Sequence, residues 1–208
     1  NTIFYAGTGT ITSLLLTSLM AYPLTVSEFK GKKVINVLLL ITMFFGGGMI
    51  PTYLTIRNLH MIDTLWAMIL PGAISAWNVI MFVNFFKEIP DSLRESATID
   101  GAGHVRILFA IVIPLSKALL ATIALFTIVG FWNDYFNAML YLDSTTKMPI
   151  QIFLRKILVN MEINRGNTQD TDMSRLLDMI NANPRTVKAA VTIITIIPIL
   201  CVYPFLQK

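Results

Sequence analysis

Charge is what this sequence has least of. Of its 208 residues only 13% are Asp, Glu, Lys or Arg, while 55% are hydrophobic; an ordinary soluble domain carries about 25% charge. That balance points into a lipid bilayer and excludes a disordered chain and a nucleic-acid-binding module. Cysteine is nearly missing too. The single Cys201 cannot form an intrachain disulfide, which excludes a disulfide scaffold and leaves the redox compartment open. It lies in an apolar run and is expected to pack as a small hydrophobe. The two histidines, His60 and His104, have no partners at metal-ligand spacing, so both are expected to be solvated surface residues. Neither a metal site nor a catalytic constellation is read.

What is present is a series of apolar stretches, each near the roughly 20 residues that a transmembrane helix needs. They cover 3–22, 34–56, 65–86, 107–142 and 189–206. The first three contain no charged residue. The fourth is longer than one span, so part of it must lie outside the hydrocarbon. Gly46-Gly47-Gly48 with Pro51, Pro71-Gly72, Pro198 and Pro204 are expected to kink or unwind spans, since neighbouring helices can satisfy the freed backbone groups in a membrane.

Four charged or polar segments join the spans, at 28–33, 57–63, 87–106 and 143–188. Counting every basic residue gives eight on each side, so the full tally does not decide orientation. The short loops do favour one: Lys30, Lys32 and Lys33 oppose only Arg57 across the second span, which places 28–33 in the cytoplasm by the positive-inside rule. The chain begins at Asn1 without Met, signal peptide or basic flank, and an earlier part of the protein is expected to precede it.

The third joining segment holds a short helix. Ser92 and Glu95 have capping-box spacing, Pro90 and Asp91 suit a helix start, and Gly101 and Gly103 suit a stop. The expected helix, about 92–100, is too short to be stable alone in water. Leu93, Ala97 and Gly101 recur at i, i+4, i+8 as a stripe for close docking in a groove, with Arg94, Glu95 and Asp100 at the rim. An ordinary solvated loop helix would fit the same residues.

Glu95-Ser96-Ala97, three residues, Gly101, nine residues, then Ile111-Val112-Ile113-Pro114 resembles the E-A-A-x-x-x-G-x-nine-I-x-L-P motif of permease subunits in binding-protein-dependent ABC importers. Ser96 replaces the family's usual Ala and Ile113 its usual Leu, both mild changes. Ala21-Tyr22-Pro23-Leu24, Asp100-Gly101-Ala102, Pro114-Leu115-Ser116-Lys117, Trp132-Asn133-Asp134 and Pro204-Phe205-Leu206-Gln207 extend the likeness to the maltose-transporter-type, oligosaccharide branch. The resemblance implies an all-α polytopic bundle with the type I ABC importer permease fold, five spans visible of six, as one transmembrane domain over 1–208. Within it, 88–110 would be the cytoplasmic coupling-helix segment and 143–188 an extracytoplasmic loop. Leu93, Glu95, Ser96, Ala97, Asp100, Gly101, Ala102 and Pro114 would form the ATPase-coupling set, with Glu95 as the charged contact and Gly101 as the turn.

It further implies a transport subunit and not an enzyme. A phosphate-cradling loop would need glycine five residues before Gly31-Lys32, where Val26 stands, so ATP and magnesium would act in a partner. The partners implied are a second homologous permease subunit, a dimeric ABC ATPase, an extracytoplasmic sugar-binding protein, membrane lipid and a carbohydrate substrate. The setting would be the inner membrane of a prokaryote. An ion-gradient transporter is the alternative, but it predicts carboxylates or histidines near the midplane; a plain membrane scaffold would need no docking helix.

Three further features stand open between functional and plain readings. Trp132, Asn133 and Asp134 near the outer end of the fourth span fit a translocation path or gate, and equally an interfacial anchor. In the outer loop, Ile150, Phe153, Leu154, Ile157, Leu158 and Met161 share a helical stripe, which favours an amphipathic helix on the membrane surface. The polar stretch 164–183 is the expected contact with the binding protein. Asn36, Asn78 and Asn84 are expected to form interhelical hydrogen bonds.

Overall fold

The computed structural model describes residues 1–163 and 184–206, parts of the later helices by their backbone alone. The expectations for 164–183 and for the packing of Cys201 lie outside what is described. Among the described residues the chain is helical, with no strand. Its axis is α1 (Thr2–Thr25), an unbroken helix of 24 residues that is about 36 Å long and so long enough to cross a bilayer.

The surface of α1 is inverted relative to a soluble helix. Thr2, Thr10, Ser13, Thr17 and Ser18 are buried with Ala6, Gly9 and Ala21, whereas Ile3, Phe4, Ile11, Leu15 and Leu19 are exposed. Small and hydroxylic residues on the inner face let neighbouring backbones come close, and Leu, Ile and Phe meet lipid at no cost. The neighbours are α5 (Ala76–Glu88) and α9 (Lys117–Asn133). A Cβ built on Gly9 would fall 2.6 Å from the Phe131 ring, so any larger residue would require that ring to shift away from the α1 backbone.

Three further spans are broken near the prolines and glycines expected to disturb them, whereas the last helix, Pro184–Leu206, continues without a break through Pro198 and Pro204, against expectation. α2 (Lys32–Phe44) and α3 (Met49–Asn58) meet at 117° across 45–48, where Gly48 takes φ +82°. This is more than the kink expected within one span. α2 alone is 13 residues, about 20 Å, and stops short of the roughly 30 Å hydrocarbon core. α4 (Leu65–Ile69) leads through a single turn at Leu70–Gly72, and the chain bends by 55° across 73–75, just after the Pro71-Gly72 pair, into α5.

The long fourth stretch divides as its length requires. After α6 (Asp91–Ile99) and α7 (His104–Ile107), a widened π turn at Leu108–Val112 precedes α8 (Ile113–Leu115), and the chain bends 82° into α9. Proline lacks the N–H that would donate one turn back, and a π turn is a common way for a helix to absorb such a defect. At the bend the Ser116 N–H and hydroxyl both donate to the Val112 carbonyl, at 3.1 and 2.7 Å. α10 (Phe136–Tyr141), α11 (Ile150–Ile163) and α12 (Pro184–Leu206) complete the described chain. By length and composition the described residues hold one unbroken span, or up to four if each bent pair is one, with a further apolar helix at Thr186–Ile197.

Two apolar clusters sit at opposite ends of α1. At its C-terminal end Ala21, Tyr22 and Leu24 pack with Val79, Phe82, Phe86, Ile107, Leu108 and Val112. At its N-terminal end Tyr5 packs with Met68, Ala138, Leu142 and Ile152. The second cluster corrects the reading of α11. Among its described side chains Ile152 and Leu154 are buried, while Ile150, Phe153 and Ile157 of the predicted stripe are exposed and Leu158 and Met161 lie outside the description, so α11 docks on its own bundle through Ile152 instead of resting only on lipid.

Candidate functional site

Residues 88–107 form an elbow that projects from the C-terminal end of α1. Pro90 caps α6 and Asp91 opens it, one residue earlier than the spacing predicted, because the residue before a proline is driven to extended backbone and Ile89 is at φ −72°, ψ 125°. Ser92 therefore lies inside the first turn, and the expected capping box is not made. Asp91 still places a carboxylate at the positive end of the helix dipole.

The helix stops by a Schellman arrangement. The Gly101 N–H donates to the Thr98 carbonyl at 3.0 Å, the Ala102 N–H donates to the Ala97 carbonyl at 2.9 Å, and Gly101 itself lies at φ +80°. A side chain at that φ is strained, and glycine is not. Gly103 does not share the role: it is extended, at φ −72°, and opens α7.

No residue of α6 is fully buried. Asp91, Ser92, Glu95, Ser96 and Asp100 are exposed, and Ile99 is 87% exposed. Leu93 is also exposed, while Ala97 and Ala102 are half-buried and pack on the chain's own core. The expected stripe is thus divided: Ala97 faces inward, and the outward face carries Glu95, Ser96 and Ile99. Pro114 is exposed beyond the π turn and belongs to the bend, not to the outward face. Arg94, expected at the rim, is half-buried and turned inward.

His104 also departs from expectation. Although exposed, it places Nδ1 3.4 Å from the Tyr22 hydroxyl. His60 is exposed, with its backbone at φ +54°.

A second site lies among α1, α4, α5 and α9. A cavity of about 270 Å³ is lined by Ser13, Asn78, Thr127 and Asp134 together with Phe126, Phe131 and the backbone at Gly72 and Gly130. The recess opens to the surface of the bundle, with Phe126 and both glycines exposed, and its hydroxyl, amide and carboxylate groups beside aromatic rings can hydrogen-bond and stack on a polar solute. Of the three residues read at the end of the fourth span, Asp134 reaches this cavity. Its carboxylate accepts from the Asn137 N–H at 3.1 Å and from Nδ2 at 2.9 Å, which fixes the start of α10. Asn133 is exposed, and the Trp132 Nε1 is buried without a hydrogen-bond partner. Asn36, Asn78 and Asn84 form no interhelical hydrogen bond among the described residues; Asn78 lines the cavity instead.

Sequence reasoning missed Ser13, Thr127 and Phe131. Each sits in an uncharged run where nothing local marks an inward-facing residue.

A bundle of bent spans around one through-helix, with an open recess between helices that holds a few polar groups and a short exposed helix projecting from one end, defines the class: a membrane transport subunit of the type I ABC importer permease fold. The chain belongs to the family of binding-protein-dependent transport system inner membrane components, whose profile matches residues 5–208. It is 45% identical over 206 residues to the polygalacturonan/rhamnogalacturonan transport system permease protein YtcP of Bacillus subtilis (strain 168), covering 99% of this chain and 70% of that protein. To Protein LplC of the same organism it is 44% identical over 208 residues, covering 99% and 68%. A solved bacterial ABC transporter involved in the import of the acidic polysaccharide alginate superposes with a TM-score of 0.89 at 36% identity, covering all of this chain and 72% of its counterpart. The ion-gradient alternative finds no support in this set.

Proposed function

We propose that this subunit moves an oligosaccharide, of the acidic kind released from uronate-containing polysaccharides, by alternating access driven from a separate ATPase. The observation that carries the reading is α6, a helix that presents Glu95, Ser96 and Ile99 outward and ends in the Gly101 turn. A helix this short and this exposed needs a partner groove. In this reading α6 lies on the cytoplasmic side in a cleft of an ATPase pair, Glu95 makes the charged contact, and Leu93, Ser96, Ala97, Asp100, Gly101, Ala102 and Pro114 set the elbow's shape. ATP and magnesium act in that partner. A second permease subunit completes the path, and an external binding protein delivers the sugar. Closure of the ATPase pair would rock the helices between two discrete states, with the cavity at Asn78, Thr127 and Asp134 on the route.

Two of the relatives, the polygalacturonan/rhamnogalacturonan permease and the alginate importer, support the acidic class, and the exposed Arg155 guanidinium, 4.2 Å above the Tyr135 ring, offers a carboxylate receptor. The test is Glu95→Lys in the assembled transporter. It should insert normally but lose the co-purifying ATPase, and short oligogalacturonides should compete for uptake in the native complex where neutral oligosaccharides do not. Normal coupled transport by Glu95→Lys would sink the docking; competition by neutral sugars alone would sink the acidic class.

A further inference from the structure

The elbow is tied to the bundle at one place, by side chains from both of its arms. From α6, Arg94 Nη1 donates to the Thr25 hydroxyl at 3.1 Å, and Nη2 donates to the main-chain carbonyl of Phe86. The guanidinium carbon lies 5.9 Å from the centre of the Tyr22 ring. From α7, on the other side of the Gly101 turn, His104 meets the same Tyr22, ring centres 6.1 Å apart. Tyr22 is 5% exposed and Phe86 is fully buried.

The chemistry of the acceptors gives this meaning. Phe86 lies in the last turn of α5, where main-chain carbonyls have no helical partner and the helix dipole attracts a cation. Thr25 is the last residue of α1, and its hydroxyl also donates to the Tyr22 carbonyl at 2.7 Å. One guanidinium therefore closes the ends of two spans while standing on a third helix. Arginine can do this because its planar fork donates in two directions and never loses its charge. Lysine offers a point charge on a flexible stem.

We propose that Arg94 is a positioning residue of the transport cycle: a strut fixing α6 to the ends of α1 and α5, so that displacement of α6 becomes displacement of those two spans. The proposal rests on α6 being the helix that docks on the ATPase. It adds that the contact facing away from the ATPase, through Arg94 and Tyr22, sets how much of the ATPase's motion reaches the membrane.

The experiment uses the assembled transporter in liposomes, in a Cys201→Ser background, with spin labels at the exposed positions Thr98 on α6, off the face of Glu95, Ser96 and Ile99, and Leu19 on α1. The distance between them is read without nucleotide and with ATP bound, and the retained ATPase is measured alongside. With Arg94 in place the distance should be the same in both states. In Arg94→Ala the ATPase should remain bound, the two distances should diverge, and solute imported per ATP hydrolysed should fall about tenfold, within the usual range of coupling between sites. Arg94→Lys should recover part of both losses, which a purely structural anchor would not require. Equal distances in both states of Arg94→Ala overturn the strut. So does loss of the ATPase from that variant, since Arg94 would then present α6 without transmitting its motion. Should Arg94→Ala fail to insert, Thr25→Val removes one acceptor and leaves the Phe86 contact, and the same comparison decides. Retention of the ATPase by Glu95→Lys would instead overturn the docking reading itself.

Discussion

Lys147 holds Asp63 by two different groups: Nζ donates to the carboxylate Oδ2 at 2.7 Å and to the Asp63 main-chain carbonyl at 2.6 Å. The same carboxylate accepts from the Ser144 hydroxyl at 2.6 Å, the Ser144 N–H at 3.0 Å and the Asp143 N–H at 3.2 Å. Asp63 sits at φ +59°, and its own N–H donates to the Tyr141 carbonyl at 2.8 Å. A left-handed residue is thereby held in place by the loop that follows α10.

These hydrogen bonds, Lys147's first and then Ser144's, hold the Asp63 carboxyl well below the usual carboxylate range. A depressed folded-state value stabilises the fold above the ordinary carboxylate pKa, about 3.9, and the contribution fades as pH falls through the lower folded value. Protection of the Asp143 and Ser144 amides, measured as exchange relative to the intrinsic rate at each pH, should therefore be high at neutral pH and fall in strong acid as the Asp63 carboxylate is protonated. In Asp63→Asn the protection should already be low at neutral pH and change little on acidification. High protection in that variant would disprove the role of the charge.

Gly9 should accept a larger residue only at the cost of moving the Phe131 ring. In Gly9→Ala the new methyl would meet the Phe131 ring at 2.6 Å, and overpacking of this kind costs about 1–3 kcal/mol. Thermal unfolding in detergent should show the loss, and Phe131→Leu in the same chain should return part of it. Additive losses in the double variant would mean that the two residues do not press on each other.

Gly101 differs from Gly9 in that a Cβ there meets nothing within 4 Å. Only its φ of +80° resists substitution, at about 1–2 kcal/mol for an ordinary side chain. Gly101→Asn, which takes that conformation more readily, should preserve coupling better than Gly101→Val. Equal activity of the two would show that the turn's conformation is unimportant.

Ile99 is 87% exposed, so Ile99→Ser should leave the subunit's own stability within about 0.5 kcal/mol. If α6 enters an ATPase groove, the same change should weaken association by about tenfold, as loss of a buried anchor does. Titration of purified ATPase against the reconstituted subunit measures it, and unchanged affinity would remove Ile99 from the interface.

Much of the architecture was legible because its signals are local. Proline and glycine at 46–51 and 71–72 mark breaks that the helices respect, and Gly101 marks a stop that is a property of its own backbone. Register was less legible. Ser92 and Glu95 have the right spacing for a capping box, but Pro90 starts the helix one residue early and removes its geometry. The direction of a side chain was legible least. Arg94 reads as rim charge because a sequence cannot show that the open carbonyl of Phe86 and the hydroxyl of Thr25 stand on its inner side. Asn78 reads as a helix-to-helix bond for the same reason, and it lines a cavity whose other walls come from residues far away in the chain.

α1 is a span without a break, and both of its ends are engaged. At one end Asn1 Nδ2 donates to the carbonyls of Thr146 and Met148, the Thr2 hydroxyl accepts from the Ile150 N–H at 2.8 Å, and the Tyr5 hydroxyl donates to the Lys147 carbonyl at 2.9 Å. At the other end Tyr22 and Thr25 meet the elbow. The surrounding helices are bent near their glycines and prolines, whereas α1 carries its single Pro23 inside an unbroken helix. With a fixed rise per residue, its length sets the separation between the loop joining α10 to α11 and the elbow at the other end of the bundle.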